Sequence, residues 1–483
     1  MPMAVDFNGR PLHFIGVGGI GMSALAYVLA ERQLPVSGSD CRLTHITRRL
    51  QEKGVHIFWS QEADNIAQAT QTLADNTQVL PQVVCSTAIG PSNPEYKAAM
   101  DAGCPMFHRS DILAALMNES QGIAIAGTHG KTTTSSMVGY LLLKAGIDPS
   151  IVIGGEVAAW QGNAHVGTSD YMVAEADESD GSLVKLSAEI GVITNIELDH
   201  PDHYSTLDEV VGIFKHFANQ CDVVIGCADC ETVMNQIQPK VTYSLRPESG
   251  ADYIATDICE TAQGTTAEIW ERGQRLGELH LAILGRHNLS NALAAIAVAR
   301  RLGVEFDAIS TIMATFEGAK RRFDHRGFHN NILFIDDYAH HPSEIKVTLA
   351  AAKVKSTESL EGVNQRLLVA VFQPHRYSRI TTLLQEFSMA FAEADQVIVT
   401  DIYSAGEKNP SGITGEDVTS AIGEHHTQVS YAATLDDVKA KLAVLLQPGD
   451  LVIFLTAGNL NQVIPDVMDY QAEQSEKTAL TSV

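Results

Sequence analysis

No apolar run in this chain approaches the ~20 residues needed to span a bilayer. The N-terminus, Met1-Pro-Met-Ala-Val-Asp6, lacks the basic and apolar blocks of a signal peptide. No membrane insertion is expected, and a cytoplasmic location is. Basic charge is scarce: 33 Lys and Arg stand against 58 Asp and Glu, a net charge of −25. Such a chain repels nucleic acid and anionic membrane in bulk, so no nucleic-acid partner is expected and any anion site is local. Small-molecule phosphates fit that better than a polymer. Disulfide and zinc frameworks are also missing. The seven cysteines are odd in number, and Cys227-Ala-Asp-Cys230 has no second pair at zinc spacing. Free thiols in a reducing compartment account for them. There is no internal repeat and no low-complexity tract. What remains is an ordinary globular composition, 45% apolar over 483 residues, enough for about three domains.

One stretch organises the chain: Ala124-Ile-Ala-Gly-Thr-His-Gly-Lys-Thr-Thr-Thr134. The apolar residues Ile123 to Ala126 read as a strand. Gly127, Thr128, His129 and Gly130 form a loop that delivers Lys131, Thr132 and Thr133 to a helix start. Backbone N–H groups and the helix N-terminus then face an anion, Lys131 adds a charge, and the Thr132 hydroxyl can ligate Mg²⁺. The strict G-x-x-x-x-G-K-[ST] spacing is missing, because Ile125 stands five before Gly130. The short G-x-x-G-K-T-T form argues against an ordinary GTPase and for a narrower ATP-dependent class.

A second glycine loop lies upstream. Leu12 to Val17 reads as a strand, Gly16-Val-Gly-Gly-Ile-Gly21 as a turn, and Met22 to Arg32 as a helix. Pro35 to Ser39 is a second strand, ending at Asp40. Gly16, Gly18 and Gly21 form G-x-G-x-x-G, with an acid about 20 residues on, the fingerprint of a diphosphate at a helix N-terminus. Gly19, Ile20, Met22 and Ser23 complete that loop. Ser86 and Thr87 follow another strand, where ligands bind in open α/β sheets.

Downstream, Glu175, Asp177, Glu178 and Asp180 crowd one strand end, and Asn195-Ile-Glu-Leu-Asp-His200 follows the next strand. Carboxylates that close are costly unless a cation or donors compensate, and beside a phosphate loop they describe a Mg²⁺–ATP site. Asn288 and Asn291, one turn apart at the start of an Ala-rich helix, fit either capping or a purine contact; capping accounts for one Asn at most. Gly318-Ala-Lys-Arg-Arg-Phe323 is a basic segment suited to phosphate. The pattern of strands and helices gives an α/β chain with domains at 1–119, 120–323 and 324–483.

Together these motifs resemble the muramyl (Mur) ligase family. They are Gly16 to Ser23, Gly127 to Thr133, Glu175 to Asp180 and Asn195 to His200. Further on stand Gly285-Arg-His-Asn288, Arg321-Arg-Phe323, Asp336-Asp-Tyr-Ala-His-His-Pro342 and Gln373-Pro-His-Arg376. They span the chain in family order. The resemblance implies three α/β domains: a Rossmann-like N-terminal domain for a UDP-sugar, a central P-loop ATPase-like one, and a C-terminal Rossmann-like one. It also implies the reaction. ATP phosphorylates the lactyl carboxylate of UDP-N-acetylmuramate, and the amine of L-alanine displaces the phosphate from the acyl phosphate. That step belongs to cell-wall (peptidoglycan) precursor synthesis, and ATP and Mg²⁺ are its cofactors.

By the same resemblance Lys131 would hold the β/γ-phosphates. Thr132, Glu175 and His200 would bind Mg²⁺. Asn288 and Asn291 would face adenine, Arg322 would reach phosphate, and Asp337 would hold the ribose. Gly16 to Ser23, Asp40, Ser86 and Thr87 would hold the UDP-sugar. Tyr338, His340, His375, Arg376 and Arg379 would line the amino-acid side. Thr456, where relatives often have Gly, is expected to change only a turn. A monomer or homodimer is expected. A recycling ligase that adds a preformed peptide to the same sugar nucleotide is the near alternative; its first glycine loop usually departs from the form kept here. A nucleotide-sugar oxidoreductase accounts for the first glycine loop but leaves the second unexplained.

Overall fold

The structure is a computed structural model and describes residues 4–72, 78–358 and 366–481. The chain divides into two compact units. The first comprises Met1–Ile196, Asp208–Tyr243 and Ala294–Ile309; the second comprises Glu197–Leu207, Ser244–Leu293 and Ser310–Val483.

The first unit holds two sheets. One is all parallel, in the spatial order His56–Phe58, Val36–Ser39, Leu12–Ile15, Gln82–Cys85, Met106–His108. The order reverses between Leu12–Ile15 and Gln82–Cys85, so the first glycine loop and the turn at Ser86 leave the sheet on either side of a topological switch point. Leu12, Phe14, Ile15, Val83 and Val84 are fully buried, as expected of parallel strands covered on both faces. Below that strand edge, buried Glu95 accepts from Ser39 and Asn65 and pairs with His13. This ties down the end of the strand that leads to Asp40.

In the other sheet, Ser150–Val157, Tyr171–Glu175, Gln121–Ala126, Ala188–Ile193, Cys221–Cys227 and Val241–Ser244 run parallel in that order. Gly162–His165 is an antiparallel edge on Ser150–Val157. Gln121–Ala126 is central and buried from Gly122 onward. Its neighbours on either side are Tyr171–Glu175 and Ala188–Ile193, so the phosphate loop, Glu175 and Thr194 emerge side by side. The alternation of the sequence passes over Ser150–Val157, because Gly154, Gly155 and Glu156 interrupt it; pairing with Tyr171–Glu175 makes it a strand.

The second unit contains an antiparallel meander, Tyr253–Thr261, Gly264–Glu271 and Gln274–Leu281, and a six-stranded sheet. The sheet's order is Asp324–His329, Ile332–Asp337, Leu451–Leu455, Leu368–Phe372, Gln396–Val399, Val429–Tyr431, parallel except for the first strand. Its middle strands are wholly buried. Helices Pro342–Ser356 and Tyr377–Ser388 contribute to the core on one face, and Leu435–Leu445 to that on the other.

One expectation differs at the end of the chain. The last dozen residues read as polar and frayed, yet a helix runs from Ile464 to Thr481. Val467 and Gln471 on its inner side are buried and set its direction. A polar surface loop over 356–364 was expected; the helix before it ends at Ser356, and residues 359–365 lie outside those described.

Candidate functional site

The phosphate loop is built by its neighbours. Gly127 has φ +140°, and a Cβ there would lie 1.9 Å from the Thr194 hydroxyl, so no other residue fits without moving the adjacent strand end. Gly130, at φ +81°, turns the chain into helix Lys131–Lys144. Asn195 holds the loop: its backbone carbonyl accepts from Thr128 N–H at 3.0 Å, and its side-chain oxygen accepts from His129 N–H at 2.8 Å. Thr194 Oγ1 donates to His129 O at 2.6 Å.

Lys131 Nζ folds back into this loop. It donates to Gly127 O at 2.8 Å and to both oxygens of Glu178, at 2.9 and 2.7 Å. Thr132 Oγ1 donates to Glu175 Oε1 at 2.9 Å, and Glu175 Oε2 accepts from Gly154 N–H at 2.7 Å. The two helix residues assigned to phosphate and metal therefore each meet one carboxylate of the acidic strand end. Burial pushes Glu178 up to about 7 despite the Lys131 charge. Burial also works against the Lys131 charge, but Glu178, Asp177 and Glu175 more than offset it and raise its pKa. The ammonium is thus fixed in the loop, gripped by a buried carboxylate.

The first glycine loop is similarly braced. Asp40 Oδ2 accepts from Gly18 N–H at 2.9 Å, and Oδ1 from Arg42 N–H. A Cβ on Gly18 would lie 2.7 Å from that carboxylate. Asp40 thus clamps the backbone of the loop at Gly18. Helix Ile20–Glu31 begins directly after Gly19, with Met22 and Ser23 buried. Asn163 reaches from its hairpin to Ile20 O and Ser23 Oγ. Ser86 lies in the turn after Gln82–Cys85, where its carbonyl accepts from Ile89 N–H, and Thr87 beside it is exposed.

In the second unit one cluster gathers His340, His375 and Arg379. Arg379 Nε donates to Asp199 Oδ1 at 2.8 Å, with side chains only 2% and 5% exposed. Arg379 Nη1 lies 3.3 Å from His375 Nδ1. The His375 ring stacks on Tyr403 at 5.7 Å and meets His340 edge-on at 5.8 Å, and His340 meets Tyr338 at 5.3 Å. His200 belongs to this group: its backbone N–H donates to Asp199 Oδ1, and its ring lies 3.7 Å from Oδ2. Burial opposes the Asp199 charge, but Arg379 and His200 hold its carboxyl well below the usual range. Arg376 is placed otherwise. In a left-handed conformation at φ +68°, it pairs with Asp202 and Glu407. Its charge is committed to two carboxylates, whereas Arg379 keeps a histidine beside one.

Asp337, buried, accepts from Phe323 N–H at 2.6 Å and Ala339 N–H at 2.8 Å, and burial raises it to about 6 although Arg322 pulls it down. Arg321 and Arg322 both lie 4.9 Å over the Tyr338 ring. Asn288 donates to Leu284 O at 2.7 Å and Asn291 to Asn288 Oδ1 at 3.4 Å, so the pair is linked on one buried face. Thr456 does more than fill a turn. It donates to Gln373 Oε1 and accepts from Gly458 N–H, while Gln373 also accepts from Asn459 and Leu460 N–H. Thr456 N–H also donates to Asp337 O at 3.0 Å, so the ends of three neighbouring strands meet there.

These histidines give a pH prediction. Burial lowers His287 and His340 to about 4 and His375 to about 2, against an ordinary 6.5. Below that ordinary value the unfolded chain binds protons the folded one refuses. Stability therefore rises with pH between 4 and 6.5 and falls as pH drops through that window. Each histidine contributes up to about 1.4 kcal/mol per pH unit. Asp337, raised to about 6, and Asp336 and Asp450, also raised by burial, oppose part of these shares. Thermal melts should show the second unit weakening steeply from pH 6.5 to 4.5.

Sequence reasoning missed Arg109. It opens helix Arg109–Asn118 and donates to Asp177 at 2.9 Å and Asp180 at 3.2 Å. A lone Arg at a helix start has no periodic signature. Asp199 stood inside a quoted motif, but its partner lies 180 positions away.

Two phosphate-type loops on separate parallel sheets, an acid-ringed lysine and a third α/β sheet define a multidomain nucleotide-dependent α/β enzyme, and the chain belongs to the Mur ligase family. The family's catalytic domain matches residues 11–121, its middle domain 125–299 and its glutamate ligase domain 321–458. The chain is 59% identical to the UDP-N-acetylmuramate–L-alanine ligase of Nostoc punctiforme, over 99% of this chain and all of that one. It is 55% identical to the ligase of the same name from Crocosphaera subtropica, covering 99% and 98%. Among solved structures, the UDP-N-acetylmuramate–alanine ligase of Thermotoga maritima superposes with a TM-score of 0.76 at 27% identity, covering 98% of this chain and 100% of that one. A murein peptide ligase of Psychrobacter arcticus shares the fold, with a TM-score of 0.71 at 22% identity over 96% and 99%. The three α/β domains expected from the motifs are thus the family's own.

Proposed function

We infer that the chain is an ATP-dependent ligase that joins L-alanine to the lactyl carboxylate of UDP-N-acetylmuramate, in peptidoglycan precursor synthesis. The observation that carries this reading is the full-length likeness to ligases of that activity, in a chain whose phosphate loop keeps Lys131 and Thr132 against the acidic strand end. No helix among the described residues is long and apolar enough to cross a membrane, in keeping with work on soluble substrates in the cytoplasm.

A carboxylate is a poor electrophile, and phosphorylating it supplies a leaving group. The first step brings two anions together, so cations must lie between them. Lys131 is placed to leave Glu178 and take the β/γ-phosphates, with the helix N-terminus behind it. Glu178, at about 7, takes up a proton once the ammonium has moved, which avoids a bare buried charge. The residues present fit a divalent cation. Four carboxylates, Glu175, Asp177, Glu178 and Asp180, share this edge with Lys131 and Arg109, and that surplus repels bare triphosphate. Thr132 and Glu175 would hold Mg²⁺, which when bound neutralises phosphate charge and polarises the transferred group.

In the second unit, Arg379 would hold the alanine carboxylate, kept in place by Asp199. His340 and His375, neutral at physiological pH, accept hydrogen bonds without adding charge against the incoming amine. Tyr338 would line the same side, and Arg322, over its ring, would reach the phosphate. His200 is proposed as a metal ligand, and Asn288 and Asn291 as the adenine contact. The amine, arriving neutral, attacks the acyl carbon; the tetrahedral intermediate collapses to amide with loss of phosphate.

The reading is tested by mixing protein, Mg²⁺, ATP and UDP-N-acetylmuramate and following phosphate with and without amino acids. Alanine-dependent release is expected. Release with a tripeptide and not with alanine would point to the recycling ligase instead.

A further inference from the structure

We propose that Arg109 is a positioning residue that couples the two nucleotide sites of the first unit, so that the sugar nucleotide and Mg²⁺–ATP each tighten the other's binding. The proposal rests on the substrate reading above and goes beyond it, because none of the motifs or relatives assigns this residue.

Arg109 stands between the two loops. On one side its guanidinium lies against the first turn of the helix that follows the first glycine loop. A Cβ on Gly21 would sit 3.7 Å from its Nη1 and 3.8 Å from its Cδ. On the other side Nη2 donates to Asp177 Oδ2 at 2.9 Å and to Asp180 Oδ2 at 3.2 Å. Its own position is fixed. It is the first residue of helix Arg109–Asn118, whose N-cap His108 and Asp111 form a reciprocal capping box. His108 adds to the contact, its Nε2 buried and 3.5 Å from Asp180 Oδ2.

The charges alternate along this path. A diphosphate at the first glycine loop is negative, Arg109 positive, Asp177 negative, Lys131 positive, and the ATP phosphates negative. Asp177 is held between its partners, accepting from Arg109 Nη2 at 2.9 Å and from Ser179 N–H at 3.1 Å. Arg109 thus fixes the acidic turn whose next residue, Glu178, grips Lys131. Without a cation at that point, two polyanionic ligands brought into one unit would repel each other across this partly buried seam. With it, an anion on either loop strengthens the alternation that the other loop completes. Thermodynamic linkage makes the effect mutual.

The test is calorimetric and needs no turnover. UDP-N-acetylmuramate is titrated into the enzyme alone and into enzyme saturated with Mg²⁺ and a non-hydrolysable ATP analogue. The wild-type Kd should fall at least about fivefold with the analogue, the lower end of typical coupling. In Arg109→Gln each ligand alone should bind within about threefold of wild type, while the ratio drops to one or below. Asp180→Asn should reduce the ratio from the other side of the contact, and it keeps the test alive if Arg109→Gln does not fold. Arg109→Lys, which keeps charge but not the fork, should recover part of the ratio. An unchanged ratio in Arg109→Gln, or loss of both affinities at constant ratio, would reduce Arg109 to a structural strut and overturn the proposal. A wild-type ratio of one with both ligands bound would overturn the coupling alone. Failure of UDP-N-acetylmuramate to bind the wild type at all would overturn the substrate reading, and the coupling with it.

Discussion

Replacing Lys131 by Ala should lower ADP formation by about 10³-fold or more, while UDP-N-acetylmuramate still binds within about twofold of wild type. The size follows from what the side chain does. Lys131 Nζ is held between the loop carbonyls of Gly127 and Thr128 and the carboxylate of Glu178. It is the cation the phosphate loop itself supplies, and a developing phosphoryl charge in a partly buried site has no solvent to replace it. The sparing of the sugar nucleotide follows from topology. Its loop leaves the five-stranded sheet after Leu12–Ile15, whereas Lys131 follows Gln121–Ala126 in the other sheet. The fold should survive, because Glu178, already at about 7, takes a proton when its partner is lost. ADP release and calorimetry on the same preparation check this. A kcat within tenfold of wild type would remove Lys131 from the phosphate site, and loss of sugar-nucleotide binding would undo the division of labour between the two sheets.

Replacing Arg379 by Ala should both destabilise the second unit, by about 3–5 kcal/mol, and raise the KM for alanine by about 10²-fold or more. The stability loss comes from Asp199. Its carboxylate is 5% exposed and its guanidinium partner 2% exposed, so removing the partner strands a buried charge. The alanine effect comes from losing the cation proposed for its carboxylate. The two can be separated. In Arg379→Met with Asp199→Leu, both charges are gone and much of the stability should return, while the KM for alanine stays raised. If activity returned with stability, Arg379 would be a packing residue and the amino-acid side would lie elsewhere. Arg376→Ala should cost less stability, because its two carboxylate partners are each partly exposed.

Local chemistry made much of this visible in the sequence. The glycine loops, the buried strands before them and the helices after them announce themselves, because a phosphate cradle needs small residues at fixed spacing next to a helix start. The acids at 175–180 were legible as a group for the same reason: charge crowding at a strand end calls for a cation or hydrogen-bond donors. What escaped is what depends on distant partners. Strand Ser150–Val157 has no clean alternation and exists through its pairing. The grip of Asp40 on Gly18 N–H likewise appears only in the fold. Arg109 gives no pattern at all, and its meaning appears only when Asp177, Asp180 and Gly21 are brought to it. Arg376 and Arg379 are three apart on a similar background. Only the fold shows that one is held by Asp202 and Glu407 and the other by Asp199 and His375.

The central claim is that ATP activates the lactyl carboxylate as an acyl phosphate before alanine attacks. UDP-N-acetylmuramate labelled with ¹⁸O in that carboxylate, turned over with ATP and L-alanine, tests it most directly. One labelled oxygen should appear in the released inorganic phosphate for each amide formed, as mass spectrometry of the phosphate will read. Amide formation with unlabelled phosphate would contradict the account, since the carboxylate oxygen would then have left by a route that bypasses phosphorylation.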